Sequence, residues 1–415
     1  MTTEERIINY INQLRNDGFE AICFLLPAYN VGGGTFYFCE LAKCIVSKCS
    51  IEVYYCDYKN GYPSSLLENS GVKIVEYLDK EIEFPIREKC IVITNSTRAI
   101  LLKKMRPDNK IFFWHYETFH CGWDSVFLRG ETNSFFELCF THKAMSFHDW
   151  SGWRSLSDDF GKEFNKIYLP LSLPMKGKRA LGNPKKEDEI NLTWLGRLGH
   201  DKVRSLEYLI ENFAKYQTNR RKILHIVGDG FERAFIEKRC QSFSQSIEFD
   251  MPGTVPHDQI GDYLIENTDI LFAMGLSAYE GITLGIPTAT VLIDTRRIEK
   301  DAFLWLHDSH DFSAGILTEQ MESFGEGFRK FSDIMEKYLD SLSRREIHEK
   351  MDKFCSMYCL SNEQKVEMLL SSLLDCSLSM GDVAGCLKYI PYRNIVIKKT
   401  RLFGRKLPDK MLSWS

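Results

Sequence analysis

One carboxylate in the sequence lies where a charged residue is not expected. Glu280 is embedded in the small and apolar segment LSAYEGITLGIPT, residues 276–288, directly after the strand-like ILFAM at 270–274. An ionised glutamate is rarely buried alone, because losing its hydration costs several kcal/mol. Beside a glycine-rich turn at a strand end it can accept both hydrogens of a vicinal diol, such as a nucleotide ribose. The alternative, a helix-capping glutamate at the surface, is disfavoured by the apolar neighbours.

Two cations form the second candidate group. Arg197 and Lys202 lie in WLGRLGHDK, residues 194–202, where a predicted strand ends. Arg presents a planar fork to two phosphate oxygens and Lys adds a compact charge, so the pair could converge on one anion. The alternative is that both are ordinary exposed loop cations.

A run of three glycines, residues 32–34, lies between a predicted strand and a predicted helix. Gly33 and Gly34 would let the backbone approach a ligand and leave amide N–H groups at a helix N-terminus free for an anion. The run does not match GxGxxG, so a dinucleotide-binding motif is not supported. A tight strand–helix turn explains the glycines equally well.

Two other strand ends carry polar candidates. Asp229 lies between Gly228 and Gly230, where it is expected to shape a cleft. His115 ends the strand-like IFFWH and is a candidate for contacting a sugar or phosphate, with a satisfied structural histidine as the alternative. His142 and His148 rank below it.

Strand and helix patterns alternate on both sides of one break. Before it, apolar strands are predicted at 21–29, 51–58, 91–96, 111–117 and 144–150, with a helix at 36–48. After it, strands are predicted at 190–196, 223–230, 247–253, 270–274 and 288–294, with helices at 205–217, 231–243 and 257–268. The break itself is rich in proline, glycine and charge, and residues 321–379 are predicted to be helical.

This alternation predicts an α/β protein with two doubly wound, Rossmann-like parallel-sheet domains facing a central cleft, followed by C-terminal helices. The predicted boundaries are 1–172 for the first domain, 173–189 for a linker and 190–380 for the second domain. Residues 381–415 form a separate basic tail.

The four motifs occur in a fixed order: the glycine loop, GRLGHDK at 196–202, VGDG at 227–230, and the Glu280 segment. In that order they resemble the retaining glycosyltransferase family four, whose members have the GT-B fold. The spacing of Arg197 and Lys202 agrees with the phosphate-gripping motif of that family. AYEGITLGIPT is similar to its LEAMAxGxPV segment, which places Glu280 on the ribose-binding glutamate.

The resemblance implies roles for individual residues. Arg197, Lys202 and His115 would act in catalysis, and the first domain would take the acceptor. The second domain would bind the donor. The implied donor-binding residues are Gly33, Gly34, Gly196, Gly228, Asp229, Gly230, Gly275, Leu276, Ser277, Ala278 and Glu280. One departure stands out: most members have a second glutamate eight positions earlier, where this chain has Phe272, and the loop that follows is shorter.

The implied reaction moves a sugar from a nucleotide diphosphate-sugar to a hydroxyl of a glycan or lipid-linked saccharide, with retention of configuration, in cell-surface polysaccharide (O-antigen or capsule) synthesis. The cations would stabilise charge on the leaving diphosphate. The sequence shows neither paired catalytic carboxylates nor a DxD at a strand end, so we predict no hydrolysis, metal or other cofactor. We predict no nucleic-acid partner. The alternatives are a nucleotide-sugar epimerase of the same fold and a catalytically silent partner subunit, the latter suggested by Phe272.

Composition bears on location. Thirteen scattered cysteines without a CxxC pair indicate reduced, buried thiols of a cytoplasmic protein rather than a metal site. Residues 381–415 carry eight Lys or Arg against two Asp, a net charge of +6, while the rest of the chain carries −10. Such a tail can hold a protein peripherally on the inner face of the cell membrane. Alternatively it forms a helix that packs back on the first domain.

Overall fold

The computed structural model describes residues 1–29, 32–78, 81–96, 102–116, 131–176 and 186–386. The chain divides into two compact units. Unit 1 comprises Met1–Pro170 together with the chain from Asn362 onward, and unit 2 comprises Leu171–Ser361.

Unit 1 is built on a six-stranded parallel sheet. Its strands are β1 (Ala21–Leu25), β2 (Glu52–Asp57), β3 (Lys73–Glu76), β4 (Cys90–Asn95), β5 (Lys110–His115) and β6 (Met145–Phe147). Their order in the sheet is β3-β2-β1-β4-β5-β6, that of a Rossmann domain. Every residue of β1 and β4 is buried, as expected for central parallel strands covered on both faces.

The first part of unit 1 also contains the helices α1 (Thr3–Asn16), α2 (Gly33–Lys48), α3 (Tyr62–Leu66), α4 (Glu131–Thr141) and α5 (Trp150–Phe160). Caps define two of their starts. Thr2 and Glu5 form a capping box on α1, and Asp149 accepts a hydrogen bond from the Gly152 amide at the start of α5. Asp149 therefore ends a strand that the sequence had predicted to continue to residue 150.

Unit 2 repeats the same topology. Its main sheet contains β7 (Glu189–Leu195), β8 (Arg221–Val227), β9 (Glu248–Gly253), β10 (Ile270–Ala273), β11 (Thr288–Thr290) and β13 (Leu304–Trp305). The order is β13-β11-β10-β7-β8-β9, with β13 antiparallel to β11. Two short strands, β12 (Leu292–Ile293) and β14 (Ile316–Leu317), pair separately.

The helices of unit 2 are α6 (Val203–Lys215), α7 (Arg233–Phe243), α8 (His257–Asn267), α9 (Leu276–Thr283), α10 (Met321–Phe324), α11 (Phe331–Leu339) and α12 (Ser341–Tyr358), with short 3₁₀ turns at Leu306–Asp308 and Thr318–Gln320. The chain then returns to unit 1 through α13 (Asn362–Asp375) and α14 (Met380–Val383).

Residues 362–380 belong to unit 1, although the sequence had placed them in the second domain. Helix α13 packs on α1 and α2, and Arg6 forms a bidentate ion pair with Glu367, at 2.5 Å from Nε and 3.0 Å from Nη2. An amphipathic helical pattern predicts a buried face but does not identify the surface that buries it.

The predicted fold class is confirmed: the chain has two doubly wound, Rossmann-like parallel-sheet domains with C-terminal helices. The twelve cysteines in the described residues are free thiols, and nine of them are buried. None of the helices in those residues is both long and apolar enough to cross a membrane. The prediction for the basic tail concerns mainly residues 387–415, which lie outside the described residues.

A buried histidine in unit 2 makes stability depend on pH. The His307 side chain is fully buried, stacks on Trp305 with centroids 5.5 Å apart, and has no hydrogen-bond partner for either ring nitrogen in the described residues. Burial lowers the pKa of His307 from 6.5 to about 4. In the unfolded chain His307 therefore becomes protonated as the pH falls below 6.5, whereas in the folded chain it stays neutral until the pH approaches 4. The contribution of His307 to stability is present above pH 6.5 and is lost as the pH falls toward 4.

We expect His307→Phe, which keeps the ring stacked on Trp305, to remove this dependence. The unfolding free energy of the variant should fall by about 2 kcal/mol less than that of the wild type between pH 7 and pH 5. Urea denaturation at the two pH values measures the difference. Equal losses of unfolding free energy in the variant and the wild type would show that folding does not lower the pKa of His307.

Candidate functional site

The strand order of unit 2 reverses beside β7, because β8 follows on one side of it and β10 lies on the other. Right-handed crossovers carry the chain away from β7 and β10 toward opposite faces of the sheet, which leaves a crevice at their carboxyl ends. The loop after β7 contains Arg197 and Lys202, and α9, which follows β10, contains Glu280. The tertiary fold thus brings the cations and the acid, about eighty residues apart in sequence, to neighbouring strand ends.

The two cations differ in their surroundings. The Arg197 side chain is exposed, and its guanidinium lies 3.5 Å from Asp201. Lys202 is the N-cap residue of α6 and is half-buried, and its ammonium makes no ion pair or hydrogen bond within the described residues. Burial lowers the pKa of Lys202, as does the charge of Arg197, whereas Asp201 raises it. Two cations near one uncapped helix N-terminus favour the binding of an anion.

The predicted VGDG turn supports the cation loop through its backbone. Gly196 and Leu198 donate to the carbonyls of Val227 and Asp229 at 3.0 and 2.9 Å. Added Cβ atoms on Gly228 and Gly230, both at positive φ, would lie 2.1 Å from the Gly196 oxygen and 2.3 Å from the Leu198 oxygen. These glycines are therefore required where one loop packs against the other.

Asp229 itself is exposed, and its carboxylate accepts from the Gly230 amide at 2.8 Å and lies 3.6 Å from Arg233. The next residue, Phe231, is fully exposed; the sequence analysis did not select it.

Helix α9 presents Glu280 from its second turn rather than from its start. Its N-cap is Gly275, at φ 59° and ψ −139°, and no side chain caps the helix. Ala278 is buried, while Leu276 and Ser277 are half-buried in the first turn, where amides of a helix have no intrahelical acceptor. Gly281 keeps the helix close to the sheet, since a Cβ there would lie 2.3 Å from the Leu271 side chain.

Glu280 is buried, as its apolar neighbours predicted, and it has a partner that sequence reasoning missed. Its side chain is 8% exposed and forms an ion pair with Lys176, which is 33% exposed. Lys176 lies two residues after Pro174 in the predicted linker, among several other lysines, and no pattern distinguishes it from them. The buried carboxylate of Glu280 is therefore tolerated because the ammonium of Lys176 neutralises its charge.

Phe272 lies in the core of unit 2. It occupies the position where most members of the resembled family have another glutamate, eight residues before the one that Glu280 matches. It is fully buried in β10 and contacts Phe303 and Phe331, with ring centroids 5.6 and 5.8 Å away. Nothing at this position can reach a ligand, so any contact that compensates for the glutamate has to come from the loop that follows β10.

In unit 1 the glycine run starts α2. Gly32 is the N-cap without a side-chain hydrogen bond, Gly33 is exposed and Gly34 is buried. A Cβ on Gly34 would lie 2.8 Å from the ring of Tyr116, so close packing against this aromatic residue requires glycine. Both interpretations of the run therefore keep support: a tight strand–helix turn, and an uncapped helix N-terminus.

The three histidines in the described residues of unit 1 have structural contacts. His115, 3% exposed at the end of β5, has its Nδ1 2.8 Å from the Ser96 hydroxyl. His148 Nε2 lies 3.1 Å from Asp149, and His142 Nδ1 lies 2.9 Å from Ser377. His115 lies in unit 1, whereas Arg197, Lys202 and Glu280 lie in unit 2. Its catalytic role stays a prediction.

Comparisons with known proteins identify the fold. No protein-family model matches the chain, and no curated protein matches it either. Solved structures do. Anabaena Alr3699/HepE, in complex with UDP and glucose, is 12% identical with a TM-score of 0.53, covering 84% of this chain and 99% of that one. S. aureus TarM, in a complex that includes UDP, is 10% identical with a TM-score of 0.53, covering 86% and 100%. The lipopolysaccharide outer core galactosyltransferase WaaB is 14% identical with a TM-score of 0.50, covering 83% and 97%.

These likenesses extend over nearly the whole of each compared chain and show that this protein has the GT-B fold. At such low identity they speak to the fold alone. Membership of family four, the donor and acceptor, and the roles of individual residues stay predictions.

The packing of the two loops leads to a test. Gly228→Ala should destabilise the protein by about 3 kcal/mol or more, because the methyl group overlaps a backbone carbonyl that cannot move without breaking the loop pairing. Gly161→Ala is the matched control, since Gly161 also has positive φ but no atom lies within 4 Å of its added Cβ. The control should lose only about 1 kcal/mol. Equal losses in denaturant titrations would contradict the assigned packing.

Proposed function

We propose that the protein is a nucleotide-sugar-dependent glycosyltransferase. The observation that supports this most is the crevice of unit 2, where an arginine and a half-buried lysine on one loop accompany a buried glutamate on the neighbouring helix. A diphosphate needs cations and a ribose needs an acceptor for its two hydroxyls, and residues of both kinds follow adjacent strands here. HepE in complex with UDP and glucose, and TarM in complex with UDP, make UDP the first donor nucleotide to test.

In the proposed reaction the bond between the anomeric carbon and the diphosphate oxygen breaks, and negative charge develops on the diphosphate. Arg197, Lys202 and the amides at the start of α9 would stabilise that charge more in the transition state than in the ground state. The leaving phosphate can accept the proton of the acceptor hydroxyl on the same face of the sugar, which gives retention without a separate base. The acceptor would bind to unit 1.

The proposed setting is the synthesis of a cell-surface polysaccharide. Support comes from WaaB, a lipopolysaccharide outer core galactosyltransferase that shares the fold. The basic tail, with a net charge of +6, suits an enzyme whose acceptor is held at an anionic membrane surface.

The donor site is tested by calorimetry with uridine, guanosine, thymidine and adenosine diphosphates. We expect selective binding of one nucleotide, with UDP favoured. Arg197→Gln, Lys202→Gln and Glu280→Gln should each weaken that binding about tenfold or more, because each removes a charge-assisted contact. Lys215→Gln, which removes an exposed charge from the far end of α6, should leave it unchanged. Failure of every nucleotide to bind would reject the proposed donor site and favour a catalytically silent subunit.

Lys176 provides a second test, because it holds the carboxylate that the ribose would use. Lys176→Gln should tighten binding of UDP about fivefold, since the ligand no longer competes with a partly exposed ion pair. Lys186→Gln is the control: it breaks the pair between this exposed lysine and the buried carboxylate of Glu189, 3.1 Å away, in the same region of the chain. If Lys176→Gln instead weakened binding, Lys176 would be a contact of the ligand rather than its competitor.

A further inference from the structure

Three neighbouring strands of unit 1 are each followed by a tyrosine. Tyr58 directly follows β2, Tyr77 directly follows β3, and Tyr29 lies four residues after the end of β1. The strands are adjacent in the order β3-β2-β1 and parallel, so the three rings gather at the carboxyl edge of the sheet, where open α/β sheets bind their ligands. None of the motifs discussed above includes them.

The three rings contact one another in a row, and the outermost ring is exposed to solvent. Tyr77 is buried, and its ring centroid lies 6.1 Å from that of Tyr58 at an interplanar angle of 75°. Tyr58 is half-buried and stacks on Tyr29, with centroids 4.8 Å apart and planes within 15°. Tyr29 is 66% exposed. One face of its ring lies on Tyr58, so the other face is open to a further layer.

A buried carboxylate fixes this arrangement. Asp57 is fully buried, and its Oδ1 accepts from the amides of Ala28 at 3.1 Å and Tyr58 at 2.8 Å. Its Oδ2 accepts from the amide and hydroxyl of Ser64 at 2.9 and 2.6 Å. The amide of Tyr62 also donates to the Ala28 carbonyl at 2.7 Å. The loops that carry Tyr29 and Tyr58 are therefore tied to each other before any ligand arrives.

Tyr77, the innermost of the three rings, is also held in place. The Lys103 ammonium lies 4.0 Å from the centroid of the Tyr77 ring and donates to the Leu78 carbonyl. A preorganised aromatic surface loses little conformational entropy when a ligand binds, and tyrosine offers a large flat area with few rotatable bonds.

We infer that Tyr29 and Tyr58 form a saccharide-binding platform on which a pyranose ring of the acceptor stacks. This inference rests on the proposed function and identifies the neutral, ring-stacking part of the acceptor as what unit 1 recognises. A pyranose has an apolar C–H face that suits the open face of Tyr29 and a rim of hydroxyls that suits polar groups around it.

The loops that carry Tyr29 and Tyr58 offer a phosphate fewer cations than the loop after β7 does, which favours a neutral ligand over a nucleotide. The described parts of the two loops, residues 26–29 and 58–61, carry one cation, Lys59, next to the exposed amide of Asn60. The half-buried Lys202 and its neighbour Arg197, which suit a phosphate, belong to unit 2. An amide that both donates and accepts suits sugar hydroxyls.

The platform is tested by saturation-transfer NMR on the full-length protein with methyl pyranosides of glucose, galactose and N-acetylglucosamine and with lactose. Calorimetry with UDP is performed on the same preparations. At least one saccharide should bind the wild type. Tyr29→Ala should weaken its binding about tenfold, while Tyr29→Trp should retain it because the stacking face is preserved. The control is Ile74→Thr, a change at another exposed apolar residue of the same sheet, 41% exposed, which should have no effect.

The inference fails if Tyr29→Ala binds the saccharides as tightly as the wild type, or if none of them binds a wild type that binds UDP. It also fails if Tyr29→Ala weakens UDP and leaves saccharides unaffected, since the platform would then recognise a base. A different result separates the two proposals: Tyr29-dependent saccharide binding without any nucleotide binding would reject the proposed transferase while leaving a saccharide-binding surface. Thermal unfolding of each variant checks that the substitution at this exposed residue leaves the fold intact.

Discussion

The position of β10 beside β7 is the constraint on which the candidate donor site depends. Both strands are parallel and almost entirely buried, so the loops that follow them are the parts that can present side chains to a ligand. Because the sheet extends from β7 in one direction through β8 and in the other through β10, the loops after β7 and β10 diverge and leave space between them. The loop that carries Arg197 and Lys202 and the helix that carries Glu280 form one candidate site because of this strand order.

Charge burial governs what the two sides of that crevice can do. Glu280 has lost most of its hydration and needs a cation or hydrogen-bond donors, and in this structure Lys176 satisfies it. Lys202 is half-buried with a lowered pKa and no anionic partner in the described part of the chain. The partner of Glu280 can be replaced, and Lys202 has none in the described residues. A ligand that has both hydroxyls and a phosphate can therefore supply a partner to each of them.

Unit 1 uses the same topology differently. In dinucleotide-binding Rossmann domains an acid near the end of the second strand binds the ribose. Asp57 occupies such a position, but it is fully buried and bonded to the backbone of two loops, so it holds structure rather than ligand. What this edge offers instead is an aromatic surface, which separates the chemistry of the two units: charge and a buried acid in unit 2, flat amphipathic rings in unit 1.

The sequence by itself determined the alternation of buried strands and helices, the repetition of that pattern on both sides of the linker at 173–189, and the burial of Glu280, because hydrophobic periodicity and the hydration of a carboxylate are local properties. It also offered Arg197 and Lys202 as candidates from their place in one loop at a strand end, and their role stays a prediction. It could not decide that residues 362–380 return to unit 1, since a helical pattern does not specify the surface that covers it. Nor could it find Lys176 beneath Glu280, the backbone contacts that require Gly228 and Gly230, or the alignment of Tyr29 with Tyr58. Each of these joins residues distant in sequence, and only the packing of the folded chain brings such residues within contact distance.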